Sequence, residues 1–408
     1  MRHVRRFLLA PYHFAWALLS AMWYGFPAKR FTVIGVTGTK GKSSVTEMLY
    51  ATLMRAGYKT AVAGTIRFAI LNETRPNTHK MTMPGRGFIQ KFLAEAVKMG
   101  VTHAVVEITS EAALQYRNRF LYLDALIFTN LQKEHIESHG SFENYARAKF
   151  SIGLELAKSS KCPRAIIANA DDLQSAPYLA LPVEKRLPFS YTDAQEVELG
   201  AGTVAFSYEG TRFNLRLPGS FNIMNALAVI KAAAFVGVSV PSASAALAEL
   251  ARIPGRTERI DMGQDFSVVV DYAHTPDSLM ALYRAYPVRK ICVLGNTGGG
   301  RDTWKRPVMG RIADEACSLV ILTNEDPYDE NPMEIISAMT TSMSRQPTII
   351  LDRREAIRYA IAHASTGDAV LISGKGTDPY IMSANGARIP WDDATVVREE
   401  LILLKKKV

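Results

Sequence analysis

The chain has 408 residues, of which 48% are hydrophobic and 21% charged, so it can bury sizeable cores and is not a disordered protein. At roughly 100–200 residues per domain, this length predicts two or three domains. With 27 glycines and 19 prolines, the composition also excludes a collagen-like or low-complexity chain. The formal net charge of +9 suits an anionic partner such as a nucleotide, a nucleic acid or a membrane surface, without choosing among them.

Cysteine usage indicates the compartment. Cys162, Cys292 and Cys317 are too few and too scattered for a disulfide framework or a zinc knuckle. A reducing compartment fits this usage best, and the sequence therefore predicts a cytoplasmic protein.

The first segment of the chain is an apolar stretch between two basic clusters. Residues 7–27 contain no Asp, Glu, Lys or Arg and are flanked by Arg2, Arg5, Arg6, Lys29 and Arg30. A run of this length could span a membrane, but Pro11 and His13 weaken a spanning helix. Trp16 and Trp23 are typical of a membrane interface. The sequence leaves open a helix packed on its own domain or a partner subunit, a helix peripheral at the inner face of the membrane, and a true span.

After this leader, strand-like and helix-like segments alternate. A short apolar run at 31–36 precedes a helical pattern at 44–57. Further β-rich runs follow at 102–107, 124–129 and 164–168. This alternation is the signature of a parallel sheet covered by helices. Residues 185–217 instead predict short strands at an antiparallel edge, and 226–237 predict a buried helix.

A glycine-rich stretch between the first strand and the next helix is typical of a phosphate-binding loop. Residues 35–44 read Gly-Val-Thr-Gly-Thr-Lys-Gly-Lys-Ser-Ser. Glycines let backbone N–H groups close on phosphates, and the helix N-terminus adds positive potential. Lys42 can reach phosphate oxygens and Ser43 can hold Mg²⁺. The predicted nucleoside-triphosphate contacts are Gly38, Thr39, Lys40, Gly41, Lys42, Ser43 and Ser44.

A second series of β-rich runs begins near Pro254 and alternates with helical patterns, at 266–270, 289–294, 318–323, 347–351 and 368–373. The predicted fold is therefore α/β, with a central P-loop parallel-sheet ATPase domain and a Rossmann-like C-terminal α/β domain. The predicted boundaries are a leader helix at 1–30, an ATP-binding domain at 31–254 and a C-terminal domain at 255–408.

The loop and several later motifs resemble the Mur ligase family. The loop resembles TGTNGK(T/S) of that family. Other matches are 128–149 with FTNLxxDHLD…YxxAK, 217–225 with GxFNxxN, 255–258 with GRxE, 298–307 with GGDRDxxKRP and 374–376 with the start of GKGHE. Residues 271–277, Asp-Tyr-Ala-His-Thr-Pro-Asp, are close to identical to a motif of the branch that adds the third peptide residue. The resemblance covers about residues 31–390.

This resemblance implies an ATP-dependent amide ligase that adds an amino acid to a muramoyl-peptide carboxylate through an acyl phosphate, in peptidoglycan precursor synthesis. It implies catalytic roles for Lys42, Lys149 and His274. The implied ligands of two Mg²⁺ ions are Ser43, Glu107, His135 and Lys149. An unmodified Lys149 beside two cations would be repelled, but the matching lysine of the family is carbamylated, which makes it an anion. The implied cofactors are ATP, two Mg²⁺ ions and carbamylated Lys149.

Further matches extend the implied site. Nucleotide contacts fall to Asn222, Asn225, Arg256 and Asp271. Acceptor contacts fall to Thr82, Thr109, Ser110, Gln115 and Arg117. Contacts to the incoming amino acid fall to Arg301, Asp326, Tyr328, Gly374 and Asp378. The implied partners are a nucleotide- or lipid-linked muramoyl peptide and an amino acid, with no nucleic acid, and residues 1–27 as a membrane-surface or subunit contact.

The chain departs from the family pattern in places that bear on substrates. Only about 30 residues precede the loop, too few for the family's domain that holds the uridine diphosphate end of the acceptor. Glu111 stands where the family has a histidine near the acceptor. Tyr328 stands where members using meso-diaminopimelate have an arginine, and tyrosine cannot form a bidentate pair with a carboxylate. Acidic residues beside it would instead suit an ammonium group: Glu325, Asp326, Asp329 and Glu330.

Several alternatives stay open at this point. The added amino acid is expected to be lysine, ornithine or another diamino acid without a distal carboxylate, with meso-diaminopimelate as the rival. A third interpretation makes the acidic residues a solvated loop. For the whole chain, the alternatives are a truncated Mur-like ligase acting on a lipid-linked or polymeric carboxylate, and a non-enzymatic nucleotide-binding subunit. Retention of Lys42, Glu107, His135 and Lys149 together argues against the last.

Overall fold

In the computed structural model of the protein, residues 2–85, 87–134, 139–200, 202–300 and 302–405 are described, with side chains from residue 9 onward. The chain divides into two compact units. Unit 1 is made of residues 1–197, 205–214 and 221–250, and unit 2 of residues 198–204, 215–220 and 251–408. Each unit is built on a mostly parallel sheet covered by helices, which confirms the predicted α/β class.

Unit 1 begins with a long helix and continues into a mixed sheet. Its helices are α1 Arg2–Trp23, α2 Lys42–Arg55, α3 Phe88–Lys98, α4 Ser110–Leu114, α5 Phe142–Ala157, α6 Ala176–Leu179, α7 Phe221–Phe235 and α8 Val240–Glu249. Its sheet contains β1 Thr32–Thr37, β2 Thr60–Ala63, β3 Arg67–Ile70, β4 Glu73–Pro76, β5 His103–Glu107, β6 Ala125–Phe128, β7 Ala165–Asn169 and β8 Lys185–Phe189. The strand order is β4-β3-β2-β5-β1-β6-β7-β8, and only β3 and β4 run antiparallel to their neighbours.

Burial explains why the central strands of this sheet are continuous apolar runs. Every residue of β6 is buried, and every residue of β1 after Thr32 is buried as well. A parallel sheet is covered by helices on both faces, so alternate polar positions are lost. The same order places the C-terminal ends of β1, β5 and β6 side by side at one edge of the sheet.

The expectation of an antiparallel edge at 185–217 is wrong for its first strand. β8 pairs parallel to β7, with Lys185 opposite Ala165 and Phe189 opposite Asn169. The segment between them includes α6, and a crossover connection of this kind returns the chain in the same direction. The remaining strands, β9 Gln195–Leu199, β10 Val204–Tyr208 and β11 Thr211–Leu215, form a separate small sheet in the order β11-β10-β9.

Unit 2 is likewise built on a mostly parallel sheet with helices between the strands. Its helices are α9 Pro276–Arg284, α10 Lys305–Ala316, α11 Pro332–Thr340, α12 Arg353–Ala362 and α13 Asp393–Lys405. Its strands are β12 Glu258–Ile260, β13 Ser267–Asp271, β14 Lys290–Leu294, β15 Leu319–Leu322, β16 Thr348–Ile349 and β17 Ala369–Ser373, in the order β12-β13-β17-β14-β15-β16. Only β12 is antiparallel to its neighbour. A hairpin of β18 Tyr380–Met382 and β19 Arg388–Pro390 follows.

The cysteines behave differently from the sequence expectation. Cys292 lies in β14, Cys317 lies two residues before the start of the neighbouring β15, and the two form a disulfide. Their separation of 25 residues gives no signal in the sequence, because adjacent parallel strands bring them together only after folding. Cys162 is free and exposed.

The leader forms α1, as expected from its uncharged length. Among the described residues, no helix is long and apolar enough to cross a membrane. Pro11 lies inside α1.

A buried ion pair joins two helices of unit 2 and gives the first prediction. Arg353 donates to both carboxylate oxygens of Asp393, at 2.8 and 2.7 Å, and both side chains are fully buried. Removing one partner leaves an uncompensated buried charge. We expect Asp393→Ala to lower the free energy of unfolding by about 3–5 kcal/mol in urea denaturation.

The matched control is the partly exposed pair of Arg354 with Glu399. Glu399→Ala is expected to cost less than about 1 kcal/mol, because exposed pairs contribute little. Equal losses for the two variants would contradict this account of α12 and α13.

Candidate active site

The loop between β1 and α2 passes through positions where only glycine fits. Gly38 has a φ of 144°, and a Cβ there would lie 1.9 Å from Thr129 Oγ1. Gly41 has a φ of 80° and caps α2, and a Cβ there would lie 2.5 Å from Asn225 Oδ1. The backbone is therefore held against two neighbouring side chains, which a residue with a side chain would prevent. This confirms the local structure that the glycine spacing predicts.

The end of β6 fixes the loop from one side. Thr39 N donates to Asn130 O, and Lys40 N donates to Asn130 Oδ1, both at 2.8 Å. Thr129 Oγ1 donates to Lys40 O at 2.6 Å. Thr129 and Asn130 entered the sequence analysis only as part of a motif shared with the Mur ligase family. Their place in that motif is the signal in the sequence that they support the loop.

An ion pair between a lysine and a glutamate also lies at this loop. Lys40 Nζ is 3.1 Å from Glu134 Oε1, and the Glu134 side chain is buried. Lys42 Nζ donates to Thr39 O at 2.9 Å, so this lysine folds back along the loop. Sequence reasoning placed Lys40 and Lys42 at the loop but missed Glu134, which precedes the predicted ligand His135. His135 itself lies outside the described residues.

Glu107 lies beside the loop because β5 pairs with β1 so that Val36 is opposite Glu107. Its buried carboxylate accepts from Ser43 Oγ at 3.1 Å and from Thr65 Oγ1 at 2.9 Å. Thr65 N donates to the other oxygen at 2.9 Å. A buried carboxylate next to a hydroxyl supplies the oxygen ligands that Mg²⁺ prefers. Among the residues that the structure describes, three or more His, Cys, Asp or Glu side chains nowhere form a metal cluster.

Lys149 reaches the loop from α5. Its Nζ donates to Gly38 O at 2.6 Å, and the side chain is buried. Burial and the positive charge of Lys42 hold the pKa of Lys149 well below its ordinary value, against the opposing effect of Glu134 and Glu107. A lowered pKa increases the share of the neutral amine, which is the nucleophilic form of a lysine.

The predicted acceptor residues fall into two groups. Thr82 Oγ1 is 2.7 Å from Thr65 Oγ1, so Thr82 joins the hydrogen-bond network of Glu107. Thr109 Oγ1 caps α4 by accepting from Ala112 N at 3.2 Å. Ser110 Oγ is 3.1 Å from His139 Nε2, a histidine that the sequence analysis did not identify.

Gln115 and Arg117 form the second group, together with Glu111. Gln115 Nε2 donates to Glu111 Oε1 at 2.8 Å, and Arg117 donates to the Gln115 side-chain oxygen. Arg117 Nη1 also donates to Met83 O at 2.5 Å. The half-buried guanidinium and the carboxylate thus lie in one polar cluster, and burial lowers the pKa of Arg117 while Glu111 opposes this shift.

The leader helix contributes to this cluster, which the sequence did not predict. The Phe14 ring packs edge-on against Tyr116, with centroids 5.8 Å apart. Burial and the positive charge of Arg117 lower the pKa of His13, while the negative charge of Glu111 opposes this shift. The interpretation of α1 as a helix packed on its own domain is therefore supported for this face. In the sequence, this polar cluster is indicated as a departure from the family only by Glu111, which stands where the family has a histidine.

In unit 2, three loops approach one another closely. A Cβ at Gly255 would lie 2.6 Å from Thr377 N, and one at Gly376 would lie 2.9 Å from Tyr272 Cβ. The Arg256 guanidinium lies over the Tyr272 ring, 4.4 Å from its centroid. These contacts bring together the segments that carry the predicted residues Arg256, Asp271 and Gly374.

Asp271 and His274 are engaged within these loops. Asp271 accepts from Thr257 N at 2.6 Å and from Ala273 N at 2.7 Å. Burial raises the pKa of Asp271, while Arg256 opposes this shift. His274 Nδ1 is 2.8 Å from Tyr272 O. Asp271 thus has a loop-holding role, and the nucleotide and catalytic roles implied for Asp271 and His274 stay predictions.

The acidic cluster around Tyr328 differs from its sequence interpretation. Lys375 Nζ pairs with Asp326 at 2.8 Å and with Asp378 at 3.3 Å. Glu330 pairs with Arg306 at 2.7 Å, and Asp329 Oδ1 accepts from Asn385 N at 2.8 Å. These acids are therefore satisfied by the chain itself, and their charge is not simply available to a substrate. The sequence could not show this, because the partners come from distant segments.

Glu325 is the member of the cluster that keeps an available oxygen. Its Oε1 accepts from Thr297 Oγ1 at 2.8 Å, whereas its buried Oε2 has no hydrogen-bond partner in the described part of the chain. A Cβ on Gly374 would lie 2.3 Å from Oε2, so this oxygen faces the glycine predicted to contact the amino acid. Arg301, the predicted partner of the α-carboxylate, lies outside the described residues.

Together these features are typical of an enzyme that binds a nucleoside triphosphate: a glycine-rich loop at a helix N-terminus, beside a buried carboxylate. The chain matches the Mur ligase middle domain over residues 36–233 and the Mur ligase, glutamate ligase domain over residues 255–376. The chain belongs to the Mur ligase family, and it is an ATP-dependent acid–amino-acid ligase.

Two named relatives resemble the chain over almost its whole length. UDP-N-acetylmuramoyl-L-alanyl-D-glutamate–2,6-diaminopimelate ligase of Caldanaerobacter subterraneus subsp. tengcongensis is 35% identical, over 95% of this chain and 81% of the relative. UDP-N-acetylmuramyl-tripeptide synthetase of a Roseiflexus species is 36% identical, over 95% of this chain and 82% of the relative. A solved structure of a UDP-N-acetylmuramoyl-L-alanyl-D-glutamate–2,6-diaminopimelate ligase superposes on this chain with a TM-score of 0.63 at 29% identity. The superposition covers 92% of this chain and 79% of the other.

The loop geometry gives the second prediction. We expect Gly41→Ala to raise the Kd for ATP at least about tenfold in isothermal titration calorimetry, since the new methyl would displace Asn225 or the loop. Gly57 at the other end of α2 is the control, because it has a similar φ of 88° and open space around its Cβ position. Gly57→Ala is expected to cost about 1–2 kcal/mol of stability through left-handed strain but to bind ATP normally. Equal ATP affinity in both variants would show that the close approach at Gly41 is unimportant.

Proposed function

We propose that the chain adds a diamino acid to a muramoyl dipeptide linked to a uridine nucleotide, as the third residue of the peptide. The names of the relatives, which describe UDP-linked muramoyl acceptors, support this choice of acceptor. The observation that carries the proposal is the convergence of Ser43, Glu107 and Lys149 on the phosphate loop. No relative described above supports a lipid-linked or polymeric acceptor.

The described residues fit ATP and Mg²⁺. Backbone groups of 38–44 and the N-terminus of α2 would hold the phosphates, while Ser43 and Glu107 would hold a metal ion through oxygen. A bound Mg²⁺ supplies charge neutralisation for phosphoryl transfer. The Lys42 side chain would turn away from Thr39 O and extend toward the transferred phosphoryl group. The acceptor carboxylate attacks the γ-phosphorus to give an acyl phosphate and ADP, and the amine then displaces phosphate.

We further propose that Lys149 is carbamylated and helps to hold a second Mg²⁺ with His135. The neutral amine of Lys149 can attack the carbon of CO₂ and release one proton to solvent, which leaves an anionic carbamate where a bare ammonium would repel the metal ions. Its contact with Gly38 O places this group at the loop. The number of ions and the modification depend on this proposal and not on the family assignment.

Replacing this lysine gives the third prediction. We expect Lys149→Ala to lose at least about 100-fold in kcat, since metal-bound charge on phosphoryl groups contributes several kcal/mol, and short-chain carboxylates should partly restore the rate. The control is Lys161, a partly buried lysine that donates to Asp124 and to Phe31 O, away from the loop. Lys161→Ala should lose stability but not gain activity from carboxylates. Full activity of Lys149→Ala without additives would exclude the carbamate.

For the incoming amino acid, we propose lysine, ornithine or a similar diamino acid without a distal carboxylate. Glu325 Oε2 could accept from an ammonium group, and Tyr328 cannot clamp a carboxylate as arginine does. The rival is meso-diaminopimelate, because the relative from Caldanaerobacter subterraneus is named as a 2,6-diaminopimelate ligase. Arg388 is a candidate clamp for it, since Arg388 pairs in the hairpin with Met382, whose carbonyl accepts from Tyr328 N at 3.2 Å.

The fourth prediction tests the acceptor and the amino acid together. With ATP, Mg²⁺ and UDP-N-acetylmuramoyl-L-alanyl-D-glutamate, we expect phosphate release that depends on an added amino acid, and at least about tenfold higher kcat/KM for L-lysine than for meso-diaminopimelate. Glu325→Gln should lower kcat/KM for lysine, whereas Glu334→Gln, an exposed acid on α11, should not. A preference for meso-diaminopimelate that Arg388→Ala removes would refute the lysine proposal and assign the clamp. No phosphate release with any amino acid would refute the acceptor.

We also propose that residues 1–27 contact a membrane surface or another subunit. Support comes from the uncharged length of this segment and from large apolar side chains that α1 leaves exposed. A cytoplasmic location stays a prediction.

A further inference from the structure

One face of α1 is an exposed apolar stripe, here called the outer face and made of Leu9, Tyr12, Trp16, Leu19 and Trp23. These residues recur every three or four positions, which places them on one side of a helix. All are exposed, with Leu19 at 59% and Trp23 at 84% of their full surface. Such a contiguous apolar surface marks an interaction site rather than ordinary scatter.

The opposite face of α1 is fixed on unit 1, so the outer face cannot turn inward. Phe14 packs on Tyr116 and Phe120, with ring centroids 5.8 and 5.9 Å apart. Ala21 is fully buried, and a Cβ at Gly87 would lie 2.7 Å from Ser20 Cβ. The stripe is therefore presented as a preformed surface.

Charge indicates which kind of partner covers this surface. The chain has no Asp or Glu before Glu47, while the outer face is flanked by Arg2, Arg5, Arg6, Lys29 and Arg30. Lys29 and Arg30 are exposed. Basic residues at both ends of an aromatic, apolar helix face suit a surface that combines anionic headgroups with hydrocarbon.

A second copy of α1 is a poorer partner. A pair of α1 helices, whether antiparallel or parallel, would bring together two segments whose charged residues are all basic. Either arrangement brings like charges together with no acidic residue of this segment to compensate them. A membrane span is also disfavoured, since none of the described helices is long and apolar enough.

We propose that the outer face of α1 docks on the surface of an anionic lipid bilayer, with the helix lying along the interface. Trp16 and Trp23 would lie at headgroup level, where amphipathic rings are favoured. Because Phe14 on the inner face touches Tyr116, docking holds Gln115 and Arg117 close to the bilayer. This consequence rests on the proposed acceptor site, whereas the docking itself does not.

The test measures binding of the full chain to vesicles without ATP or acceptor, so its outcome is independent of the ligase proposal. We expect cosedimentation with vesicles of equal phosphatidylglycerol and phosphatidylcholine but not with phosphatidylcholine alone. Leu19→Glu should weaken binding at least about tenfold. The matched control is Leu173→Glu, since Leu173 is 92% exposed on the same unit but outside the stripe.

Electrostatics is tested separately. Arg30→Glu should weaken binding, whereas Lys185→Glu, a change at another exposed lysine, should not. Raising the salt from about 0.1 M to 1 M shortens the screening length from about 10 Å to 3 Å and should weaken binding of the unchanged protein. Circular dichroism should show the same helix content in all variants.

Three results would overturn the proposal. The first is an absence of cosedimentation with anionic vesicles. The second is equal binding by Leu19→Glu and Leu173→Glu. The third is a dimer in light scattering that Leu19→Glu dissociates, with no vesicle binding, which would assign the outer face to a second copy of the chain.

Discussion

The chemistry of unit 1 depends on how tightly the backbone of the phosphate loop is enclosed. Thr129 and Asn130 hold it from the end of β6, Asn225 closes on Gly41, and Lys149 donates to Gly38 O. These contacts leave room only for glycine at two positions and fix the direction in which the first N–H groups of α2 point. A preorganised loop of this kind can bind phosphates without a large cost of ordering at the moment of reaction.

The enclosure of the phosphate loop also explains how the charged side chains around it interact. Lys42, Lys149, Glu107 and Glu134 all lie within or against one small part of the sheet edge, and burial strengthens their mutual interactions. Burial and the positive charge of Lys42 together hold the pKa of Lys149 well below its ordinary value. A carbamate at this position would place a negative charge beside the Mg²⁺ ions that accompany ATP.

The fold and the loop could be predicted because their signals are local. Glycine spacing, the apolar runs and the alternation of elements each depend on neighbouring residues, and they yielded the α/β class and the glycine-rich loop between β1 and α2. Contacts between distant segments gave no such signal. The disulfide of Cys292 with Cys317, the pairing of Asp326 with Lys375 and the packing of Phe14 on Tyr116 all require the folded chain. The ion pairs within the acidic cluster gave no signal for the same reason, since a sequence shows charges but not their partners.

The central claim is that the loop site activates the acceptor carboxylate by phosphorylation. Oxygen-18 in the side-chain carboxylate of the acceptor's glutamate tests it most directly, with mass spectrometry of the released phosphate. An acyl phosphate requires that one carboxylate oxygen leave with phosphorus when the amine forms the amide bond, so the account predicts one labelled oxygen per phosphate. Unlabelled phosphate released together with the amide product would contradict it.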